Sequence, residues 1–258
     1  MFRTFKFNID KRGVGYLELN RPDKHNAISS LMIDELTSLC DMINEKVTLR
    51  VVVLSGLGSS FCAGADLNWM KEQMEATASQ RYDQARRLSN VLQKLNTLNK
   101  PLIGLIHGNV FGGGVGLACV CDTVVALEDT LFGFTETKLG LIPATIGPYV
   151  IRRMTGAKAR TVFMSSRIFE VNEARDLNIV NRITTEEKKE VVLELEITSY
   201  LKCAPNAVSE AKKLALKISG LPSDRELDHA ISKLVERWES NEAREGIISF
   251  LNKKITNK

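Results

Sequence analysis

The sequence predicts an α/β fold with a helical C-terminal region, and three observations predict it. The strand-like apolar run 102–106 breaks at Gly108, passes through Gly112-Gly113-Gly114 and enters a helical-looking segment over 115–120. A second strand-like run, 50–55, passes through a glycine-bearing loop into Phe61-Cys62-Ala63-Gly64-Ala65-Asp66-Leu67 and then into helix, with Asp66 placed as the N-cap. The third is the end of the chain, where 186–201, 206–218 and 226–252 show amphipathic spacing, punctuated by Ala204-Pro205 and Leu221-Pro222.

In chain order, residues 2–9 and 14–20 alternate about Asp10-Lys11-Arg12-Gly13, the pattern of a β-hairpin. Arg21-Pro22-Asp23-Lys24 stops the second strand. A helix is expected over 31–46, with Leu31, Ile33, Leu36, Leu39, Met42 and Ile43 as its apolar face. Residues 67–98 read as one charged helical stretch, its charges from Lys71 to Arg87 forming a solvated face. Thr155-Gly156-Ala157 separates two helices, and 179–183 reads as a strand.

At 258 residues the chain is long enough for one substantial core plus an appendage. Its net charge of +4 suits attraction of a polyanion and is too small and too dispersed to argue for nucleic acid. No apolar run reaches membrane-spanning length, and the N-terminus enters strand-like alternation with no leader pattern, so a cytoplasmic protein is expected. The five cysteines, Cys40, Cys62, Cys119, Cys121 and Cys203, read as reduced and mostly buried. Cys119-x-Cys121 lacks a second pair and nearby histidines, so no metal site is expected.

Three adjacent glycines are poor helix-interior residues. At a helix start they serve either as a tight turn packed against a neighbour or as free N–H donors for a ligand oxygen. Two such loops together are the equipment for holding an enolate or tetrahedral oxygen. No serine sits in a G-x-S-x-G elbow, and His25 and His107 do not complete a triad; His107, ending a buried-looking strand, reads as a packing residue.

Phe61-Cys62-Ala63-Gly64-Ala65-Asp66-Leu67, then the run from His107 to Asp122, then Phe132-Gly133-Phe134-Thr135-Glu136 and Lys138 to Pro143, together resemble the enoyl-CoA hydratase/isomerase (crotonase) superfamily over nearly the whole chain. The resemblance implies a crotonase-like ββα spiral core, 1–195, and a C-terminal helical trimerisation region, 196–258, giving a homotrimer or a dimer of trimers. It implies an acyl-CoA substrate that carries its own coenzyme A, with no metal or redox cofactor. The oxyanion hole for the thioester carbonyl would be the N–H groups of Ala65 and Gly113. Main-chain groups near Lys24, Asn26 and Ala27, and residues Ala63, Asp66, Leu67, Phe250 and Lys253, would meet the CoA moiety. Lys24 reads equally as a phosphate partner and as a solvated loop lysine, and Trp69, Met70 and Met74 equally as acyl-pocket and core residues.

The family's best-known hydratases use two glutamates. Here the second matches Glu136, and Gly116 stands at the first position. One carboxylate is enough for moving a double bond by proton shuttle, whereas hydration also needs an oriented water. Against that, the run from Lys138 to Pro148 resembles the bacterial methylglutaconyl-CoA hydratases. The leading expectation is therefore hydration of a short or branched enoyl-CoA such as 3-methylglutaconyl-CoA, with α-carbon protonation by Glu136. Arg152 and Arg153 are candidate partners for a substrate carboxylate, though a surface role also fits them. The alternative is Δ3,Δ2-enoyl-CoA isomerisation by Glu136 alone. A third reading, a CoA- or RNA-binding protein without chemistry, is disfavoured by the intact donor loops and by the lack of a basic stripe with interleaved aromatics.

Overall fold

The computed structural model describes residues 2–256, with side chains to residue 252. The chain opens with the hairpin β1 (Phe5–Ile9) and β2 (Val14–Leu19), then α1 (Ser30–Glu45) and β3 (Val51–Gly56). Helices α2 (Leu67–Glu75) and α3 (Ala78–Asn96) lead to β4 (Leu102–Ile106) and β5 (Asn109–Phe111). The short α4 (Gly113–Cys119) precedes β6 (Thr123–Leu127) and β7 (Leu131–Gly133). Next come α5 (Gly147–Met154), α6 (Gly156–Phe163), β8 (Ile168–Glu170), α7 (Val171–Asp176) and β9 (Arg182–Thr184). Helices α8 (Lys189–Leu201), α9 (Pro205–Ser219), α10 (Asp224–Trp238) and α11 (Asn241–Thr256) follow.

The larger sheet runs β1-β2-β3-β4-β6-β9, parallel throughout except for the β1–β2 hairpin. Parallel strands buried on both faces carry continuous apolar runs, and this sheet follows that rule. Val52, Leu54, Leu102, Ile106 and Val124 pack with α1, α3 and α4, while Val51, Val53, Ile103 and Val125 face Leu193 and Ile197 of α8. A second sheet, β5-β7-β8, lies beyond the loops that leave the first. Isolated bridges Ile28–Ala65, Ser60–Gly108 and Cys62–Val110 stitch those loops together.

The structure departs from expectation in instructive places. The stretch 67–98 is two helices, because Thr77 and Gln80 form a reciprocal capping box that restarts the helix at Ala78. The segment 226–252 is likewise two helices, with the Ser240 hydroxyl accepting the Ala243 N–H at the break. In α1, Leu31 and Met42 are exposed; the buried stripe is Met32, Ile33, Leu36, Leu39, Cys40 and Ile43. The expected strand at 179–183 begins only at Arg182, since Ile179 and Val180 turn inward as buried loop residues. Four cysteines are buried and Cys203 is exposed; burial pushes the thiols of Cys40, Cys62, Cys119 and Cys121 up to about 12, which keeps them unreactive. No helix among the described residues is long and apolar enough to cross a membrane.

The C-terminal helices return to the body of the fold. Arg81, buried in α3, donates to the carbonyls of Gln73 and Met74, pairs with Glu239 and lies over the Trp238 ring. It thereby ties the end of α2 to the end of α10. Helix α11 sits directly on the turn that follows β7: a Cβ on Gly140 would lie 2.5 Å from the Ala243 nitrogen, and one on Gly246 would lie 2.8 Å from the Leu139 carbonyl carbon. Arg237 completes the clasp by donating to the Gly140 carbonyl.

Candidate active site

Two loops and one turn converge on a cavity of about 130 Å³. The first loop follows β3. Ile28 brackets Ala65, donating its N–H to the Gly64 carbonyl at 2.8 Å and accepting from the Asp66 N–H at 3.0 Å. A parallel bridge of this kind uses the groups on either side of Ala65 and leaves its own N–H without a backbone partner. Beyond it, Asp66 caps α2 by accepting from the N–H groups of Asn68 and Trp69, and its other oxygen takes the Arg21 guanidinium at 2.7 Å. Burial would raise this carboxyl; the hydrogen bonds from Arg21 and the α2 amides hold it below its ordinary value. Asp66→Ala removes the cap and strands a half-buried Arg21, and is expected to cost about 3 kcal/mol of unfolding free energy by urea titration.

The second loop follows β5. Gly112, at φ +49°, hands the chain to α4, whose first residue is Gly113. An N1 residue has no intrahelical acceptor, and the Gly113 N–H has no partner among the described residues. A Cβ on Gly113 would come within 2.7 Å of Ile28 Cδ1, so the residue that brackets Ala65 also seats this donor.

The turn supplies Glu136, first residue of the 3₁₀ turn Glu136–Leu139. Its Oε1 lies 3.1 Å from where a Cβ of Gly112 would stand, which places the carboxyl against the second loop and explains a glycine there. Its Oε2 is buried without a hydrogen-bond partner. Burial raises this carboxyl to about 7, offset only by its own backbone N–H. No other charged side chain lines the cavity among the described residues; the rest of the wall is apolar apart from Thr135, Thr145 and the indoles of Trp69 and Trp238.

The position of the absent glutamate is filled. A Cβ on Gly116 would meet Ile146 Cγ2 at 2.4 Å and Leu92 Cδ1 at 3.7 Å. Nothing acidic replaces it there. The arrangement is therefore two free N–H donors beside one carboxyl poised near neutrality, which suits stabilising a thioester enolate while a single group moves protons.

Residues 10–257 match the family model described as enoyl-CoA hydratase/isomerase. The chain belongs to the enoyl-CoA hydratase/isomerase family. A Thermus thermophilus protein that bears the enoyl-CoA hydratase name is 30% identical, the match covering 95% of this chain and 97% of that one. Among solved structures, an enoyl-CoA hydratase from Shewanella pealeana is 31% identical, with a TM-score of 0.82 over 98% of this chain and 94% of that one. One from Mycobacterium avium is 25% identical, with a TM-score of 0.87 over 98% of both. The fold is thus the crotonase fold, with α8 to α11 as its C-terminal helices.

The residues expected to meet CoA in this family are placed in several different settings. Lys24 ends an exposed 3₁₀ turn and is available. The Asn26 side chain is not: it is buried, donates to the carbonyls of Leu57 and Ser60, and accepts from the Arg21 N–H, holding the left-handed His25-Asn26 turn. Ala27 is buried behind that turn, and the Ala63 N–H is used by the His25 carbonyl. Asp66 serves structure as described, Leu67 begins α2, and Phe250 lines the cavity from α11. The Lys253 side chain lies outside the described residues. Trp69 and Met70 line the cavity, whereas Met74 packs behind them. His107 Nε2–H donates to the Gly58 carbonyl at 2.8 Å. Arg152 and Arg153 are spent elsewhere, Arg152 on Glu226 and the Gly220 and Leu221 carbonyls, Arg153 on Cys121, Asn178, Ile179 and Asn181. Neither lines the cavity. Leu234 and Trp238 of α10 were not anticipated; an amphipathic helix carries no local sign of which cavity its apolar face will wall.

Proposed function

We propose that this family member hydrates, and in reverse dehydrates, a short or branched 2-enoyl-CoA such as 3-methylglutaconyl-CoA, with Glu136 as its one acid/base. The observation that carries the reading is the isolated Glu136 carboxyl, buried, raised to about 7 and set against the glycine loop whose Gly113 N–H is free. In this mechanism the Ala65 and Gly113 N–H groups hold the thioester oxygen as negative charge develops on it. The Glu136 carboxylate takes a proton from water as it adds to the β-carbon, then returns that proton to the α-carbon on the same face. No metal or redox step is invoked. Names of relatives support hydration. The filled Gly116 position supports the second reading, Δ3,Δ2-isomerisation, because it removes the usual second group for holding water.

The deciding experiment offers purified protein crotonyl-CoA and 3-methylglutaconyl-CoA for hydration beside a 3-enoyl-CoA for isomerisation. Hydration faster than isomerisation is expected; isomerisation without hydration would replace the first reading with the second. We also propose self-association through the outer faces of α8 and α9, where Val191, Leu195, Leu214 and Ile218 are 59–77% exposed. This is the trimer, or dimer of trimers, that the resemblance implies.

A further inference from the structure

One residue of the cavity wall, Trp69, carries a buried polar group that the mechanism does not use. Six buried side-chain atoms lack a hydrogen-bond partner among the described residues, and two belong to cavity-lining residues: Glu136 Oε2 and Trp69 Nε1. The first has a role as the acid/base. The second is a donor with nothing to donate to, and a buried unpaired donor is a standing cost that native structures rarely carry without a reason.

Trp69 is held by its own helix and by packing. Trp69 sits in the first turn of α2, where its own N–H is taken by the Asp66 cap, and the far end of α2 is held by Arg81 through the Gln73 and Met74 carbonyls. The ring is packed among Met70, Leu141, Ala243 and Ile247. It therefore hangs from the same rigid element whose N-terminal loop presents the Ala65 N–H, the arrangement expected of a group that orients a ligand. The remainder of the wall supplies no cation, and its other neutral polar side chains are Thr135, Thr145 and the Trp238 indole, whose nitrogen is not among the buried unpartnered atoms.

We propose that Trp69 is a specificity-determining residue whose indole N–H donates to an oxygen acceptor carried by the acyl group beyond the thioester. The preferred substrates are then oxygen-bearing enoyl thioesters, carboxylated or keto, and simple alkyl chains are the poorer ones. This rests on the CoA-thioester reading above and narrows it. A site built to satisfy a buried polar group rejects a ligand that leaves the group unpaired.

Calorimetric binding of saturated acyl-CoAs tests this without turnover. The probes are glutaryl-CoA, 5-oxohexanoyl-CoA and hexanoyl-CoA, against wild type and Trp69→Phe. The expected result is tighter wild-type binding of both oxygen-bearing probes. Phe at position 69 should weaken glutaryl-CoA by about 10- to 100-fold and the keto probe by a few-fold. Hexanoyl-CoA binding should stay within about twofold, which also reports that the variant is folded. Loss on the glutaryl probe alone assigns the acceptor as a carboxylate, and loss on both as any oxygen. Equal affinities for the three probes, or equal losses in the variant, overturn the assignment to Trp69 and leave the broader reading standing. Wild type that binds no acyl-CoA overturns both.

Discussion

Glu136→Gln is expected to lower kcat by about 10²- to 10⁴-fold on whichever enoyl-CoA is turned over, with the fold retained. Gln keeps the shape of the side chain and removes only its capacity to exchange a proton. Undiminished turnover would remove Glu136 from the mechanism and with it both readings of the reaction. The pH profile of the native protein adds an independent check. A carboxyl that must be ionised to accept the first proton, and whose value is raised to about 7, gives kcat/KM that falls as pH drops through about 7. Stability moves the other way. The folded carboxyl binds its proton more tightly than the unfolded one, so stability is greatest below the unfolded value and declines as pH rises through about 7. The decline attributable to this group is on the order of 3 kcal/mol. Urea titrations at several pH values should show that slope in the wild type and not in Glu136→Gln.

Gly114→Ala should be nearly as damaging, for a geometric reason. A Cβ at position 114 would stand 2.2 Å from the Cys62 carbonyl oxygen, a backbone atom that already accepts the Phe111 N–H at 3.0 Å. One of the two donor loops has to shift away from the other, and displacement of a preorganised pair by a fraction of an ångström costs about 10²-fold in rate. The overpacking should also cost about 1–3 kcal/mol of stability. Gly156→Ala is the matching control: at the start of α6 a Cβ would meet nothing within 4 Å, so rate and stability should hold. Full activity in Gly114→Ala would mean that the spacing of Ala65 and Gly113 is not what the reaction requires.

What could be read from the sequence was local. The glycines at 112–114 and Glu136 each sit within three residues of a strand end, Gly112, Gly113 and Glu136 line the cavity, and the Asp66 cap starts the helix that carries Trp69. The breaks at Thr77 and Ser240 were legible in principle as capping residues, but the apolar spacing carried on across them. Strands β5, β7 and β8, three residues each, are too short to show an alternation and exist because the loops around the site pair with one another. Gly116 announced a missing carboxylate, yet nothing near it in the chain announced that Ile146, thirty positions on, fills the space. Leu234, Trp238 and Phe250 wall the cavity from more than a hundred residues beyond the donor loops, a distance at which periodicity carries no information about partners.

The close approach of α11 to the Glu136 turn, Gly140 against Ala243 and Gly246 against Leu139, has a consequence for how the protein comes into being. The chain is made from its N-terminus and folds as it emerges. The loops of Ala65 and Gly113 and the turn of Glu136 are therefore all synthesised well before the helix that presses on that turn and closes the cavity with Phe250. A nascent chain paused short of α11 holds the reacting groups with one wall absent, so the surroundings that shield the Glu136 carboxyl are completed only once α11 has emerged. A chain terminated ahead of Phe250 would hold both donor loops and Glu136 with one wall of the cavity missing.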